Sequence, residues 1–449
     1  MNKNTPIRGL LTTTPFFKLG SVFILALFLI SLPASAQLRN DPALEEKFMD
    51  MGFGIFIHWS VDSQLGSVIS HSMVGASEDY LKKYMNELPK TFYPDKFDAD
   101  EWARLFKLSG AEYVVFTTKH HNGFCMWDTK TTGFNIMNTP YGKDITGQLF
   151  QALRRYDLKV GVYFSPEDFS FLHQQGTLIS RTRAMSQVTE NAGLLAYDKQ
   201  QLDELIDNYG PVDMIFLDAF ENDPLVQYIH QKDPKILITR GEMKTPEQEI
   251  PDTPIPGPWE TCMTMGTQWQ YKPTNEQYKS GGELIDKLIE IRAKGGNFLL
   301  NIGPKPNGEI PIEQEERLRE MALWMFVNDD AIKGIRPLPK TIKDGYAWFT
   351  QKEDQNAVYV FITGQTDWFK GRRRSFLVKN LRATDKTTIS VLGQNDKVVE
   401  YWPENIPESR IVQHEELLEI SISRAQRLYN DKIWPNPIVV KLTDVEIIK

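Results

Sequence analysis

The residue with the clearest chemical potential is Asp218, because it directly follows a run of four apolar residues at positions 214–217. Such a run is typical of a strand buried on both faces of a parallel sheet, and the acid would then lie where the strand ends. In a barrel of alternating strands and helices that end is the catalytic face, which makes Asp218 a candidate nucleophile. The alternative is that Asp218 only caps the following helix, since Asp is a common N-cap residue.

Other polar side chains lie at the ends of the other predicted strands. They are His58, His120, His121, Tyr163 and Arg240. Imidazole, phenol and guanidinium groups at one rim suit hydrogen bonds to the hydroxyls of a sugar. A zinc site made of the three histidines and Asp218 is an alternative. It is disfavoured because adjacent residues, such as His120 and His121, point to opposite sides of an extended segment.

Sugar binding also needs aromatic faces that pack on the apolar C–H surface of the ring. Five aromatic residues near the predicted strand ends could supply them: Trp59, Phe124, Trp127, Trp259 and Trp269. Aromatic residues at these positions also fill barrel cores, and we expect about half of the five to do so. This chemistry requires no metal and no organic cofactor.

The segments between these residues predict the elements that position them. Apolar runs of strand length occur at residues 54–59, 113–118, 159–164, 214–217, 236–239, 261–265 and 297–302. Helical patterns lie between several of them, as at 99–108, 146–156, 198–209 and 281–294. The alternation predicts a parallel sheet wound with helices. With no G-x-G-x-x-G turn after the first strand, an α/β fold of the (β/α)₈-like barrel type is favoured over a dinucleotide-binding fold.

Near residue 340 the pattern changes to short strands without long helical periods, at 357–362, 375–378, 388–392, 418–422 and 438–442. Short strands separated by polar turns predict a small antiparallel β-sandwich. We therefore expect a barrel over residues 37–340 and a C-terminal β-sandwich domain over 341–449.

Residues 1–36 have the pattern of a signal peptide. Three basic residues precede an apolar stretch at 20–32, and the small residues Ala34-Ser35-Ala36 then supply a cleavage site that would leave Gln37 first. The stretch is short for a membrane span, so we expect no stable membrane insertion after cleavage. The sequence thus predicts an exported protein, either periplasmic or extracellular.

Composition narrows the class further. The formal net charge of −8 leaves no basic surplus for a nucleic-acid partner. Cys125 and Cys262 are the only cysteines, so no disulfide framework holds the fold, and two buried free thiols are expected.

Six segments, in this order, resemble the α-L-fucosidases of glycoside hydrolase family 29. They are residues 53–59, 117–124, 134–140, 208–213, 259–262 and 294–304. The resemblance runs from about residue 51 to residue 337. It implies a (β/α)₈-like barrel followed by a β-sandwich, and hydrolysis of terminal α-L-fucose from glycans with net retention through a covalent glycosyl-enzyme.

The resemblance also implies roles for individual residues. Asp218 matches the nucleophile position. The residues that match positions binding the fucose hydroxyls are His58, His120, His121, Tyr163 and Arg240, and Trp269 matches an aromatic that packs on the methyl side of the sugar. Two departures from the family pattern are Gln270, where the family has Gly, and Asp79, where many members have Trp. The second places the rim of the sugar pocket, and strict fucose preference, in question.

Retention requires a second carboxyl group about 5–5.5 Å from the first. Glu247, on the loop after Arg240, resembles a Thr-Pro-Glu segment that carries the acid in some members of the family. Glu260 belongs to the Trp-Glu-x-Cys signature but starts its predicted strand, which is nearer the wrong face. We favour Glu247 over Glu260, with Glu242 and Glu78 as less favoured candidates.

Two other functions fit the same residues. The altered rim at Asp79 could admit a fucose-like sugar such as α-L-galactose. A sugar-binding rim without a usable acid would give a carbohydrate-binding protein, although the presence of both candidate acids argues against this. The oligomeric state and the linkage preference are not predicted by the sequence.

Overall fold

The computed structural model describes residues 39–220, 222–402, 404–428 and 436–448 of the 449-residue chain. The predicted signal peptide therefore lies outside the described residues. From residue 39 onward the chain forms one compact unit. The barrel–sandwich boundary at residue 340 stays a prediction. No helix among the described residues is both long enough and apolar enough to cross a membrane.

The centre of the catalytic part is a curled sheet of seven parallel strands, in the order β5-β4-β3-β2-β1-β7-β6. These strands are β1 Phe53–Ile57, β2 Tyr113–Lys119, β3 Lys159–Phe164, β4 Met214–Leu217, β5 Leu237–Ile238, β6 Glu260–Thr264 and β7 Asn297–Ile302. Apart from Lys159, every strand residue is buried, as expected of strands covered on both faces. The predicted barrel-like α/β fold is confirmed.

An irregular segment, residues 240–248, lies between β5 and β6 where an eighth strand would be. It makes isolated parallel bridges, Lys244 with Trp259 and Glu247 with Cys262. Pro246 lacks an N–H group, so this segment cannot form a full ladder. It nevertheless links β6 to the region of β5, and it carries Glu247 along the rim.

Helices cover the outside of the sheet. Their bounds are α1 Pro42–Met51, α2 Glu78–Asn86, α3 Ala99–Leu108, α4 Ile145–Arg155, α5 Phe169–Gln174, α6 Ala192–Asn208, α7 Asp223–Lys232, α8 Gly281–Ala293 and α9 Ile312–Asn328. Several begin at a side-chain cap; Asp98 accepts from the Glu101 N–H, and Ser280 forms a capping box with Glu283.

The helix-cap interpretation of Asp218 is wrong. Helix α7 begins at Asp223, and its N-cap is Asn222. Asp218 instead continues the alternation of β4, two residues after the interior-facing Phe216. Because successive strand side chains alternate between faces, this spacing turns the Asp218 carboxylate toward the barrel interior at the end of the strand.

The C-terminal part contains antiparallel strands in three sheets. They are β8 Arg336–Pro337, β9 Lys343–Asp344, β10 Ala347–Lys352, β11 Ala357–Ile362, β12 Arg373–Lys379, β13 Leu381–Arg382, β14 Thr388–Val391, β15 Arg410–Gln413, β16 Leu417–Ser423, β17 Ile438–Thr443 and β18 Glu446–Ile447. Val360, Phe376 and Ile420 belong to a shared core between the two larger sheets. This part packs on α9, whose Trp324 donates to the Pro437 carbonyl at 2.9 Å.

Candidate active site

A pocket of about 550 Å³ opens at the carboxyl ends of the parallel strands. The residues that line it come from six strand ends or the loops that follow them, and they include all the predicted sugar-binding side chains: His58, His120, His121, Tyr163, Arg240 and Trp269. Asp218 and Glu247 line it as well. A cavity of this size and polarity suits one sugar unit together with part of its aglycone.

Four side chains surround the Asp218 carboxylate at the bottom of this pocket. The Tyr163 hydroxyl donates to Oδ2 at 2.6 Å, and Arg240 Nη1 donates to Oδ1 at 3.1 Å. Arg181 Nη2 lies 3.6 Å from Oδ1, and His121 Nε2 lies 3.4 Å from Oδ2. Burial raises the pKa of Asp218, but the guanidinium groups of Arg240 and Arg181 and the Tyr163 hydroxyl outweigh burial and hold the pKa below its usual range. The carboxylate is therefore ionised at neutral pH.

The backbone explains why these groups meet. The Asp218 N–H donates to the carbonyl of Phe164, so β3 and β4 stay paired beyond the last residue of β4. The Leu217 N–H donates to the carbonyl of Arg240, two residues after β5, which places Arg240 beside Asp218. Tyr163 pairs in register with Phe216 and shares its inward face. Three neighbouring parallel strands thus converge on one carboxylate.

The three predicted histidines are buried in the pocket wall. Burial lowers the pKa of His58 to about 4 and that of His121 to about 3, and burial together with the nearby histidines lowers the pKa of His120 well below its usual value. All three are therefore neutral near pH 7. Their outward nitrogens contact Asn301, Ser70 and Ser165.

The expectation that His120 and His121 point to opposite sides is wrong. Their ring centroids are 4.3 Å apart, and both rings line the pocket. The reason is local: β2 ends at Lys119, and the chain then turns, with the Gly123 N–H donating to the His120 carbonyl. The alternation rule holds only for extended backbone, and these two residues lie outside it.

Arg240 joins the two candidate catalytic carboxylates. Its Nη1 contacts Asp218 at 3.1 Å, while its Nη2 contacts Glu247 Oε2 at 3.0 Å. The two carboxylates are therefore separated by no more than two hydrogen bonds and the width of one guanidinium. The Glu247 side chain remains 43 % exposed, so it lies at the mouth of the pocket where an aglycone would leave.

Glu260 lies elsewhere. It is the first residue of β6, is fully buried, and accepts a hydrogen bond from the Tyr113 hydroxyl at 2.9 Å. Burial raises the pKa of Glu260 to about 7. It does not line the pocket, because Tyr113 begins β2 just as Glu260 begins β6, and both lie at the opposite end of the barrel.

The less favoured carboxylates are also remote from the pocket. Glu242 is buried against His230 and the Asn40 backbone. Glu78 is on the surface of α2 and pairs with His173. Neither residue lines the cavity. Among the predicted second carboxylates, Glu247 alone does so.

Of the five predicted aromatic residues, one lines the pocket and four lie in the hydrophobic core. Trp269 lines the pocket with its ring centroid 4.8 Å from that of His58. The other four candidates are buried in the layer between the sheet and its helices: Trp59, Phe124, Trp127 and Trp259. We expected about half to be core residues, and the core holds more than that.

The two departures from the family pattern have structural explanations. Gln270 is buried, and its amide donates to the Ser67 carbonyl at 2.7 Å, so it braces the loop behind Trp269. The Asp79 side chain is 76 % exposed on α2, where it pairs with Lys83 at 2.8 Å. Asp79 does not line the pocket.

Sequence reasoning missed three residues of the rim: His71, Arg181 and Phe220. Arg181 lies on an irregular loop after α5. Its Nε donates to the buried Glu167 at 2.5 Å, and its guanidinium stacks 5.0 Å from the centre of the Phe220 ring. No strand or helix period marks this loop, so the sequence carried no signal for it. The one sequence feature related to this loop is the Glu167-Asp168 pair after β3, because Glu167 binds Arg181.

Only three of the four predicted zinc ligands lie close together among the described residues. Potential ligand atoms of His120, His121 and Asp218 lie within 4.8 Å of one another, but His58 does not belong to this group. Arg240 and Arg181 are close to Asp218 Oδ1 and would repel a dication bound there. The charges around Asp218 favour a single carboxylate anion over a metal centre. The two cysteines are free and buried, as predicted.

Comparison with known proteins agrees with this geometry. The alpha-L-fucosidase family model matches residues 32–330. The chain belongs to the α-L-fucosidase family. It is thus a glycoside hydrolase, and the resemblance noted in the sequence is confirmed. The comparisons give no support to the α-L-galactose and carbohydrate-binding alternatives.

Individual family members match over most of their length. An alpha-L-fucosidase from Branchiostoma floridae is 29 % identical over 421 residues, which cover 82 % of this chain and 90 % of that protein. The structure of alpha-L-fucosidase isoenzyme 1 from Paenibacillus thiaminolyticus matches with a TM-score of 0.72 at 27 % identity, covering 90 % of this chain and 99 % of the other. A Bacteroides thetaiotaomicron GH29 fucosidase, trapped as a covalent intermediate with 2-fluoro-fucosyl fluoride, shares the fold with a TM-score of 0.71 at 22 % identity, over 92 % of this chain and 98 % of that one.

Proposed function

We propose that this chain removes terminal α-L-fucose from glycans by double displacement, with Asp218 as nucleophile and Glu247 as acid/base. The observation that carries the proposal is the pair of carboxylates joined by Arg240 in one sugar-sized pocket. Asp218 is 15 % exposed and is held ionised, and Glu247 is half-exposed at the mouth. The first environment is that of a nucleophile, and the position of Glu247 at the mouth lets it reach the departing oxygen.

In the first step, Asp218 attacks the anomeric carbon while Glu247, in its protonated form, donates its proton to the departing oxygen. A covalent glycosyl-enzyme forms, and the aglycone leaves as an alcohol. In the second step, Glu247 accepts a proton from water, which attacks the anomeric carbon and releases Asp218. The trapped intermediate of the Bacteroides relative supports this two-step course.

The rest of the pocket binds the sugar. His58, His120 and His121 are neutral near pH 7 and so contribute hydrogen bonds without adding charge. Trp269 provides an aromatic face beside His58 for the apolar side of the ring. Because Asp218 already has its charge partners before substrate arrives, little reorganisation is needed during attack.

Trapping the intermediate tests the nucleophile directly. The mature protein is treated with a 2-deoxy-2-fluoro-α-L-fucosyl donor, digested and analysed by mass spectrometry. We expect one added fluorofucosyl group, on the peptide that contains Asp218. Labelling of any other carboxylate would overturn the assignment.

The second carboxylate is tested by comparing leaving groups. Glu247→Ala should lose far more activity on natural glycans than on an aryl fucoside whose good leaving group needs no proton. Glu260→Ala serves as the matched control and should show no such dependence on the leaving group. The reverse pattern would identify Glu260 as the acid. A panel of aryl glycosides, including the α-L-galactoside, then measures the strictness for fucose.

We further propose that the protein is exported, to a periplasm or out of the cell. The signal-like pattern of residues 1–36 supports this. N-terminal sequencing of protein from fractionated cells checks it, with Gln37 as the expected first residue. An intact Met1 in the cytoplasmic fraction would contradict the proposal.

A further inference from the structure

Each of the three pocket histidines turns one ring nitrogen away from the cavity, and each of these nitrogens meets a different partner. The contacts are His58 Nδ1 with Asn301 Oδ1 at 2.6 Å, His120 Nδ1 with Ser70 Oγ at 2.7 Å, and His121 Nδ1 with Ser165 Oγ at 2.5 Å. A neutral imidazole carries one proton, so the partner at Nδ1 determines whether Nε2 donates or accepts.

The partner of His58 is an acceptor. The Asn301 amide nitrogen donates to the Trp269 carbonyl at 2.6 Å, and this contact orients the amide oxygen toward His58. An amide oxygen has no proton to give, so Nδ1 of His58 carries the proton. Its Nε2 is then a bare acceptor.

The partner of His121 is also an acceptor. The Ser165 hydroxyl uses its own proton to donate to the Glu167 carbonyl at 2.8 Å, so its oxygen must accept from His121. Glu167 Oε2, a further oxygen, lies 3.7 Å from the same Nδ1. His121 Nε2 is therefore an acceptor that faces Asp218 Oδ2, a second acceptor, at 3.4 Å.

The partner of His120 is a donor. The Ser70 oxygen already accepts the Asn122 N–H at 2.9 Å. Among the described residues, the remaining recorded partner of this hydroxyl is His120 Nδ1. Because Ser70 is fully buried, leaving its proton without an acceptor would cost free energy, so the proton goes to His120. The Nε2 of His120 then carries a proton and donates.

We infer that Ser70, Ser165 and Asn301 are positioning residues that fix a mixed set of histidine tautomers, with two acceptors at His58 and His121 and one donor at His120. This set selects the hydroxyl pattern of the sugar. The choice of hydroxyls rests on the proposed function, whereas the tautomers themselves do not.

The pair formed by His121 Nε2 and Asp218 Oδ2 has a specific consequence. Two acceptors face each other there, and a hydroxyl that donates between them relieves the unfavourable contact. In a retaining glycosidase the hydroxyl next to the nucleophile is that on the carbon adjacent to the anomeric carbon. Asp218 Oδ2 still accepts from Tyr163, but a substrate without this hydroxyl leaves the buried Nε2 of His121 unpaired and should be rejected strongly.

The tautomers can be measured without turnover. The full mature chain is labelled with ¹⁵N-histidine, and two-bond ¹H–¹⁵N correlations are recorded near pH 7. His→Gln variants at positions 58, 120 and 121 assign the signals. We expect protonated Nδ1 at His58 and His121 and protonated Nε2 at His120. One common tautomer for all three residues would overturn the inference, whether or not the protein cleaves fucosides.

A substrate cycle tests the consequence for specificity. The ratio of kcat/KM between an aryl α-L-fucoside and its 2-deoxy analogue is measured for the parent enzyme, Ser165→Ala, Ser165→Thr and the exposed control Ser375→Ala. We expect Ser165→Ala to reduce the ratio about tenfold, because the His121 tautomer is no longer fixed, and Ser165→Thr to retain it. A ratio that Ser165→Ala leaves unchanged would contradict the role of Ser165.

The two measurements separate the possible failures. If Ser165→Ala does not fold, the correlations of the unaltered chain still decide the tautomers. If the protein cleaves no fucoside at all, the proposed function fails while the tautomers remain measurable.

Discussion

Two carboxylates lie at opposite ends of the same barrel, and each accepts a hydrogen bond from a tyrosine hydroxyl. Tyr163 donates to Asp218 at 2.6 Å, and Tyr113 donates to Glu260 at 2.9 Å. Their ionisation nevertheless differs. Interactions with neighbours hold the pKa of Asp218 below its usual range, whereas burial raises that of Glu260 to about 7.

The difference in pKa comes from nearby positively charged side chains. Arg240 and Arg181 both lie within 4 Å of Asp218 Oδ1. No ion pair with Glu260 is recorded among the described residues, and one of its oxygens has no hydrogen-bond partner there. Tyrosine contacts alone do not make a nucleophile; a carboxylate also needs positive charge that replaces the water lost on burial.

Exchanging each acid for its amide tests this comparison most severely. Asp218→Asn removes the attacking oxygen and should lower kcat by about 10⁴-fold or more. Glu260→Gln keeps the shape and the Tyr113 contact at the far end of the barrel, so kcat should stay within about tenfold of the parent. Steady-state kinetics on an aryl fucoside measures both. If the two losses were equal, the proposed division of labour would be wrong.

We expect folding stability, unlike kcat, to depend on Glu260 and on its protonation. The folded pKa of Glu260 is about 7, above the ordinary value of 4.5, so the folded chain binds more protons than the unfolded chain between these values. Stability linked to Glu260 is therefore complete below pH 4.5 and is lost as the pH rises through 7. Glu260→Gln removes this loss and should be more stable than the parent by up to about 3 kcal/mol at pH 8, with little difference near pH 4.5.

Denaturant unfolding at the two pH values checks this expectation. The surface variant Asp79→Asn supplies the baseline, because Asp79 is solvated. A Glu260→Gln variant equally destabilised at both pH values would show that the carboxyl group is needed for packing, and that its protonation is not what matters.

A variant at Arg181 tests the positive charges that hold the Asp218 carboxylate ionised. Removing its guanidinium takes away one of the charges that lower the pKa of Asp218, so this pKa rises. Because the nucleophile must be ionised, the acidic limb of the kcat/KM profile should move to higher pH, and activity at low pH should fall. Arg181→Gln tests this, with Arg183→Gln on the same loop as its exposed control. An unshifted limb would remove Arg181 from the electrostatics of the site.

The positions of several site residues could be predicted from local sequence patterns alone. Asp218, His58 and Tyr163 were predictable because each lies at a fixed offset from an apolar strand, and parallel strands bring such offsets to one edge. The helix Ala99–Leu108 was also predicted with its observed bounds, since its apolar period and the Asp98 cap are both local signals.

Other features depend on contacts distant in sequence. Arg181 reaches the pocket because Glu167 holds its irregular loop, and no periodicity encodes that contact. The path of Glu247 depends on isolated bridges to β6, which local propensity does not reveal. His120 and His121 face the same cavity because the chain turns at the end of β2. The first two features depend on tertiary contacts, whereas the histidine pair depends on a local turn that the alternation rule for extended backbone does not cover.

The smallest effect is expected at Asp79, the position where the sequence placed specificity in question. Its side chain is exposed and paired with Lys83 along one face of α2, and such surface pairs contribute little free energy. Asp79→Asn should change both kcat/KM for the aryl fucoside and the preference over the α-L-galactoside by less than about twofold. The same glycoside panel measures it. A larger change in preference would mean that the rim extends to α2 when an aglycone is bound, and that a third carboxylate belongs in the comparison between Asp218 and Glu260.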